Sequence, residues 1–382
     1  MAVQFNGSLP ALKEAFQSGR LSLYLGAGVS KPNGLPSWEE LVQALYFTTL
    51  HDEDFINNMR PYPNYLFALA EWVLQQKNEP LDIIIRKIKQ WYEGKDFITM
   101  LSTTLYAGLG RQAFGSDITG LPEYLVNQNS TLKAIVDCCG QSIPQKKGLR
   151  SIVTYNYDNL VELGLTHLAN RKNFQVIYKG NQQLEADKIP IYHVHGYIPY
   201  QAEDVKYEDI IFSEDQYNRA FQDALFWGNV VQVSQLTSSI GLMIGLSLSD
   251  RNTRRILDSI RQQPLPLRNY ILMRKPQFKT ITDPSPELAQ IRRKAEEYLS
   301  KFPKGRMKML DKEPRQIQQL LERIYHYEEK EFEKGFATLG LELITFDDYN
   351  DDIPDALQQI SDKVKAKSDR RSKKSLQRSR RI

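Results

Sequence analysis

Four short segments carry glycines or polar side chains where predicted strands end, and together they could bind a phosphorylated ligand and move a proton. The segments are Gly26–Ser30, Thr154–Asp158, His193–Gly196 and Gly245–Asp250. Glycine lets a backbone turn sharply and approach a ligand closely, and imidazole takes up protons near neutral pH. In parallel sheets, ligands bind outside the carboxyl ends of the strands. Four such ends in one chain therefore predict one shared pocket.

The first segment resembles a phosphate-binding turn. The apolar run Leu21–Leu25 stops at Gly26, and Ser37 and Glu40 have the spacing of a capping box that opens the next helix. A strand, a glycine turn and a helix form the unit whose backbone N–H groups face a phosphate. Lys31 stands where the third glycine of G-x-G-x-x-G belongs, and no acidic residue is clearly placed for a ribose. The sequence predicts a nucleotide site but not a dehydrogenase.

Apolar strand-like runs alternate with helical runs along the chain. This alternation predicts an α/β fold with a Rossmann-like, doubly wound parallel sheet. The predicted strands lie at Leu21–Leu25, Ser151–Tyr155, Phe174–Tyr178, Ile189–Gly196, Ile240–Ser247, Asn269–Met273 and Leu341–Phe346. The main predicted helices are Ala11–Gln17, a helix from Ser37, one over Leu160–Leu165, one from Glu214, Arg251–Gln262, Glu287–Leu299, Arg315–Glu333 and one from Ile353.

We predict one catalytic domain over residues 1–362 and a basic tail over residues 363–382. Residues of about 51–147 have apolar side chains at helical spacing, interrupted by prolines, and are predicted to form a helical insertion that could serve as a lid over the nucleotide site. The tail holds ten Lys or Arg against one acid, so the chain's net charge of +4 leaves the rest mildly acidic. Such a tail is typically a disordered arm, although its charge could contact nucleic acid.

Composition narrows the class of protein. The chain has 382 residues, of which 41% are hydrophobic, and no apolar run approaches the ~18 residues of a membrane span. Its start lacks a secretory signal, so we expect no membrane association and a cytoplasmic location. The only cysteines, Cys138 and Cys139, are adjacent. They are too few for a Cys₄ zinc site and are expected in the core.

Taken together, the four segments resemble the sirtuin family. That family binds NAD with a G-A-G-x-S turn, a T-x-N-x-D segment, an H-G dipeptide and a later G-x-S turn, and Gly34–Pro36 resembles its G-I-P. The sequences of three segments are most similar to those of a prokaryotic sirtuin-like branch, which is found in antiphage effectors that destroy NAD. These segments are Gly34–Trp38, Asn156–Leu160 and Gly245–Asn252. The resemblance extends from about Leu21 to Lys363.

The resemblance implies a role for each matching residue. The residues that would hold the NAD phosphates and the adjacent ribose are Gly26, Ala27, Gly28 and Ser30. Asn156 and Asp158 would face the nicotinamide ribose, and His195 would be the catalytic base. Gly245 and Ser247 would hold the adenosine side. A carboxamide can orient water toward an oxocarbenium-like centre, and imidazole can accept the proton.

One departure from the family separates the possible activities. Protein-deacylating sirtuins carry a four-cysteine zinc module after the H-G, but Tyr197–Ser239 contains no cysteine. We therefore expect no zinc, and we expect NAD⁺ as the substrate of a glycohydrolase that depletes NAD in antiviral, abortive-infection defence. The resemblance also implies homo-oligomers and pairing with a HerA-type ATPase as a second subunit. The alternatives are an NAD-dependent protein deacylase and a non-catalytic scaffold or sensor that binds NAD or ADP-ribose.

Simpler explanations exist for the individual residues. His193 and His195 lie on one face of a strand and could bind a metal, but no third ligand is near, so His193 is expected to be a structural partner. Asn156 taken alone would be a turn or cap residue. Asp250 is expected to cap its own helix.

Overall fold

The fold is built on one parallel sheet, and the computed structural model describes most of the chain around it. The described residues are 3–48, 71–77, 79–92, 95–109, 120–200, 210–223, 225–263, 268–277 and 314–362, with fragments between 286 and 294. The strands are β1 Leu21–Leu25, β2 Leu149–Thr154, β3 Phe174–Ile177, β4 Ile189–His193, β5 Ile240–Ile244, β6 Asn269–Arg274 and β7 Leu341–Phe346. Their order is β3-β4-β2-β1-β5-β6-β7, and every pair is parallel. The predicted fold class is confirmed.

Helices flank the sheet on both faces. They are α1 Leu9–Gln17, α2 Trp38–Thr48, α3 Leu81–Trp91, α4 Lys95–Leu105, α5 Leu121–Gln128, α6 Ser130–Gly140, α7 Leu160–Leu165, α8 Glu214–Gln222, α9 Trp227–Ser238, α10 Arg251–Arg261, α11 Pro314–Thr338 and α12 Tyr349–Ser361. Along β1, Leu23 belongs to one buried apolar cluster and Tyr24 to the other. A strand buried on both sides is typical of a sheet covered by helices on each face.

The register aligns the ends of the four central strands. Leu25 of β1 pairs with Thr154 of β2 and with Ile244 of β5, and Thr154 pairs with His193 of β4. The first residue of each of the four polar segments therefore lies within two residues of this paired row at the carboxyl edge of the sheet. The chain runs from β1 to one side of the sheet and returns to the other side at β5, so the switch point lies between these two strands.

Strands β4 and β5 end at His193 and Ile244, before the ends predicted for them, and two helices differ more from their predictions. Helix α12 begins at Tyr349 rather than Ile353, because Asp348 caps it by accepting from the N–H groups of Asn350 and Asp351. Pro354 lies inside this helix. Helix α9 was not predicted at all. Most of its buried side chains are polar, namely Asn229, Gln232 and Gln235. Polar side chains do not give the apolar periodicity on which helix prediction depends.

Several predictions fall wholly or partly outside the described residues. The predicted insertion at about 51–147 contains α3 to α6, but residues 51–70 and 110–119 lie outside, and its role as a lid stays a prediction. Most of the predicted helix at 287–299 and all of the tail at 363–382 also lie outside. Cys138 and Cys139 are buried in the core, as predicted. Within the described part of the chain, no helix has the length and apolar character needed to cross a membrane.

Candidate active site

The glycines at the ends of β1 and β5 pack directly against each other. A Cβ on Gly26 would lie 2.5 Å from the carbonyl oxygen of Gly245, and a Cβ on Gly28 would lie 2.8 Å from the Gly245 Cα. Gly245 has a φ of +69°, a backbone conformation that side chains disfavour. Close packing between the ends of β1 and β5 is therefore reason enough for glycine at all three positions, because a side chain at any of them would collide with the other strand end.

Most N–H groups of the turn after β1 donate within the protein, two of them to the end of β5 and two within the turn itself. The occupied groups donate within the protein: Gly26 to Ile244 O, Gly28 to Gly245 O, Val29 to Gly26 O and Ser30 to Ala27 O, each at 3.0 Å. Among the described residues, no hydrogen bond is found for the Ala27 N–H. Within the part of the chain that the structure describes, the Ala27 N–H is therefore the donor of this turn that is left for a ligand.

The side chain of Asn156 joins the end of β2 to this turn. Its Nδ2 donates to the Gly26 carbonyl oxygen at 3.0 Å and to Ser30 Oγ at 3.1 Å. A carbonyl oxygen only accepts hydrogen bonds, so the amide must point its NH₂ group at Gly26. Asn156 Oδ1 is then turned away, and it has no hydrogen-bond partner in the described part of the chain. The amide oxygen is available to water or to a ligand hydroxyl.

Asp158 lies beneath Ser30 rather than in the open site. Its Oδ2 accepts from Ser30 Oγ at 2.8 Å and its Oδ1 accepts from the Leu160 N–H at 3.1 Å. Burial raises the pKa of Asp158, and these two hydrogen bonds oppose that shift. The carboxyl group therefore orients Ser30, which in turn accepts from Asn156. The predicted site residues Ser30, Asn156 and Asp158 form one connected network.

His195 is buried and held on three sides. Its Nε2 lies 3.2 Å from Asp250 Oδ2. The rings of Tyr155 and Tyr217 contact the imidazole edge-to-face, with centroids 5.2 Å and 5.8 Å away. No hydrogen bond to His195 Nδ1 is found among the described residues. This nitrogen is the one that could exchange a proton with a substrate.

Asp250 serves a helix and a histidine at once. As predicted, it caps α10, with Oδ1 accepting from the N–H groups of Asn252 at 2.7 Å and Thr253 at 3.4 Å. Its Oδ2 accepts from Thr253 Oγ1 at 3.0 Å and faces His195. Burial alone would raise the pKa of Asp250, but His195 and the capping hydrogen bonds lower it to about 2.

His193 is the last residue of β4, and both nitrogens of its ring contact other parts of the protein. Its Nδ1 lies 3.2 Å from the Asn156 carbonyl oxygen, and its Nε2 lies 2.7 Å from Glu162 Oε1. With both nitrogens engaged, His193 has no lone pair free for a metal in this arrangement. This agrees with the structural role expected for it. Across the described residues, no group of three or more His, Cys, Asp or Glu is placed to hold a metal ion.

The loop after β5 holds the last two predicted site residues apart. Gly245 packs against the turn after β1, whereas Ser247 is exposed and its Oγ lies 2.8 Å from Ser249 Oγ. Between them and Asp250, Leu248 is buried with a φ of +54°. A left-handed conformation at such a side chain costs of order 1–3 kcal/mol, and strain of this kind clusters at functional sites.

Sequence reasoning missed three features of the site. It assigned Asp250 only to helix capping, it did not name Glu162, and it did not place Tyr155 or Tyr217 against His195. The first could have been suspected from the position of Asp250 at the end of a strand-end motif. The tyrosines gave no signal, because Tyr217 lies on α8, whose position relative to β4 is set by tertiary packing.

Comparison with known proteins agrees with this arrangement. A family model described as a SIR2-like domain matches residues 150–299. The matched range contains Asn156, Asp158, His195 and Asp250 but not the glycine turn after β1. No curated protein matches the chain. SIR2-like domains use NAD as a substrate, so the match, the parallel sheet and the strand-end network together support a sirtuin-like protein with a function related to NAD.

Proposed function

We propose that the protein is an NAD⁺ glycohydrolase that cleaves NAD⁺ to nicotinamide and ADP-ribose. The observation that carries the proposal is the orientation of Asn156. Gly26 O and Ser30 Oγ take both hydrogens of its amide, so Oδ1 is left to accept from a nucleophile. Asn156 and His195 each lie two residues beyond the paired positions Thr154 and His193 on neighbouring strands. A reacting centre between them would have an orienting oxygen and a base.

The reaction needs little more than these two groups. The bond between the ribose C1′ and the nicotinamide nitrogen breaks, and nicotinamide leaves as a neutral molecule with the bonding electron pair. Because the leaving group is already positively charged, no strong general acid is needed. Asn156 Oδ1 accepts a hydrogen bond from the attacking water, whose oxygen bonds to C1′. His195 Nδ1 accepts the proton that this water releases.

The rest of the dinucleotide would lie along the switch point between β1 and β5. The Ala27 N–H, at the start of a short 3₁₀ helix over Ala27–Val29, would donate to the pyrophosphate. Gly26 and Gly28 let the turn pack closely against Gly245, and the end of the turn at Ser30 would border the adjacent ribose. The loop that begins at Gly245 and carries Ser247 would hold the adenosine side.

The biological setting rests on the motif resemblance alone. We propose that the enzyme depletes NAD in the cytoplasm as an effector of abortive-infection defence against phage, and that it works as a homo-oligomer. A HerA-type ATPase is the proposed second subunit. The absence of cysteine over Tyr197–Ser239 supports hydrolysis over protein deacylation, since deacylating sirtuins carry four cysteines there.

The decisive test is nicotinamide release from NAD⁺ by the purified protein, alone and with a HerA-type ATPase. Asn156→Ala and His195→Ala should each lower kcat by about 10²-fold or more, the usual loss when a positioned acid–base group is removed. The matched control is His326→Ala, a histidine on the exposed face of α11. Unchanged turnover in both site variants would show that the roles are wrong.

Two other outcomes would replace the proposal. Tight NAD binding with no turnover under either condition would indicate a non-catalytic scaffold or sensor. Release of O-acyl-ADP-ribose from an acetylated peptide would indicate a deacylase.

A further inference from the structure

We infer that Asp250 is a positioning residue for His195, which it holds with a proton on Nε2 so that Nδ1 faces the reacting bond. The inference rests on the proposed function for the identity of the reaction. The protonation of the ring is a property of the folded protein and can be tested without turnover.

The hydrogen bonds around Asp250 determine which nitrogen carries the proton. Three groups besides His195 point donors at this carboxyl: the N–H groups of Asn252 and Thr253 and the Thr253 hydroxyl. A carboxyl surrounded by donors is an acceptor at both oxygens. The contact between His195 Nε2 and Asp250 Oδ2 at 3.2 Å therefore requires a hydrogen on Nε2. A neutral ring then has its lone pair on Nδ1.

The other groups that face His195 do not compete for this role. Tyr155 and Tyr217 contact the ring edge-to-face, and burial raises the pKa of both phenols, so they stay neutral. Asp250 is the one carboxylate found at hydrogen-bond distance from the ring within the described residues. When Nδ1 accepts a proton, the positive charge on the imidazolium lies next to this carboxylate, which stabilises it.

Asp250 is itself held in place. Its Oδ1 is fixed by the first turn of α10, and Asn252 on that turn donates from Nδ2 to Asn229 Oδ1 of α9 at 2.8 Å. The carboxylate therefore has little freedom to leave the histidine. A rigid partner of this kind orients a catalytic imidazole as well as setting its tautomer.

Asp250→Asn separates the two tasks of the residue. Asparagine is as good a helix cap as aspartate, so Oδ1 can still accept from the α10 N–H groups. The NH₂ group then stands in place of Oδ2 and points a donor at His195 Nε2, which forces the proton onto Nδ1. We expect kcat to fall by about 10²-fold or more with KM nearly unchanged, because the base then presents the wrong tautomer.

The direct readout is the ¹⁵N spectrum of histidine-labelled protein, with the His195 ring assigned by its loss in His195→Gln. Recorded well above the ordinary imidazole pKa of about 6.5, the wild-type ring should be protonated on Nε2 and the Asp250→Asn ring on Nδ1. The matched control is Asp348→Asn, because Asp348 caps α12 through the same kind of hydrogen bonds at 2.8 Å and 3.1 Å. It should leave kcat and the His195 signals unchanged.

Each result decides the inference. A wild-type His195 protonated on Nδ1, or equal kcat in wild type and a folded Asp250→Asn, overturns it. If the variant fails to fold, the wild-type spectrum still gives the answer. If the wild-type enzyme shows no turnover, the proposed function fails, while the tautomer of His195 in the two proteins still confirms or refutes its dependence on Asp250.

Discussion

The side-chain amide of Asn156 donates to the main-chain carbonyl oxygen of Gly26 at 3.0 Å. This single hydrogen bond joins the ends of β2 and β1, which belong to segments far apart in the sequence. It also decides which end of the amide is free, since Nδ2 is used by the protein and Oδ1 is not. The glycine turn thus sets the orientation of the Asn156 amide, whose oxygen faces the proposed reaction.

Ser30→Ala should destabilise the protein and weaken catalysis together. Ser30 Oγ donates to Asp158 Oδ2 at 2.8 Å and accepts from Asn156 at 3.1 Å, so its removal takes away the donor that this buried carboxylate oxygen has. We expect a loss of about 1–3 kcal/mol in the free energy of unfolding, measured by urea denaturation. Ser259→Ala is the control, because this exposed hydroxyl donates to the Arg255 carbonyl oxygen of its own helix. If Ser30→Ala and Ser259→Ala had equal free energies of unfolding, the hydrogen bonds of Ser30 would not stabilise the fold.

Gly245→Ala should be strongly destabilising. The added methyl would lie 2.8 Å from the Val29 nitrogen, and the φ of +69° would strain any residue with a side chain. We expect a loss of at least about 2 kcal/mol in thermal or urea unfolding, larger than the left-handed strain of about 1–2 kcal/mol alone.

Substitutions at two other glycines distinguish the cost of backbone strain from the cost of a steric clash. Gly7 has a φ of +87° with open space around it, so Gly7→Ala should show the strain alone. Gly335 lies in α11 with open space and without a positive φ, so Gly335→Ala should stabilise the protein by up to about 1 kcal/mol. If Gly245→Ala costs no more than Gly7→Ala, the close contact between β1 and β5 is not rigid.

Glu162→Ala should be among the most damaging substitutions that lie behind the site. The substitution removes the carboxylate that lies 2.7 Å from His193 Nε2, and the His193 side chain is buried. Breaking a buried pair by removing one partner costs about 3–5 kcal/mol, and we expect this loss in equilibrium unfolding. The comparison is Glu331→Ala, which removes an exposed pair with Lys334 at 3.3 Å and should change stability by less than about 1 kcal/mol. Similar effects of the two substitutions would show that the His193 pair is not buried in solution.

The Asp250 carboxylate should make stability depend on acid pH. Its folded pKa of about 2 lies below the ordinary value of 3.8, so its stabilisation is complete above the unfolded pKa and is lost as the pH falls through the folded one. The difference in unfolding free energy between wild type and Asp250→Asn should therefore shrink by about 1 kcal/mol from pH 5 to pH 3. The measurement is urea unfolding of both proteins across this range. A difference that stays constant would contradict the depressed pKa.

Local signals in the sequence were enough to predict most of the fold. The strand at Leu341–Phe346 and the helix start at Glu214 lie at the predicted residues. Ser37 and Glu40 form the predicted capping box, with hydrogen bonds of 2.7 Å and 3.3 Å. Each of these features depends on residues only a few positions apart. Helix α9 escaped prediction because its buried side chains are polar, and only their partners in the fold show why they are buried.

The sequence by itself determined the seven strand-forming runs and the polar residues that follow four of them. Only the tertiary structure decided what those residues contact. It placed Asp250 against His195, tied Asn156 to Gly26 and put Asp158 beneath Ser30. The physical reason is that propensity, periodicity and capping act between near neighbours in the chain. A hydrogen bond between two strand ends depends on which strands are adjacent, and the order β4-β2-β1-β5 arises from packing of the whole sheet and its helices.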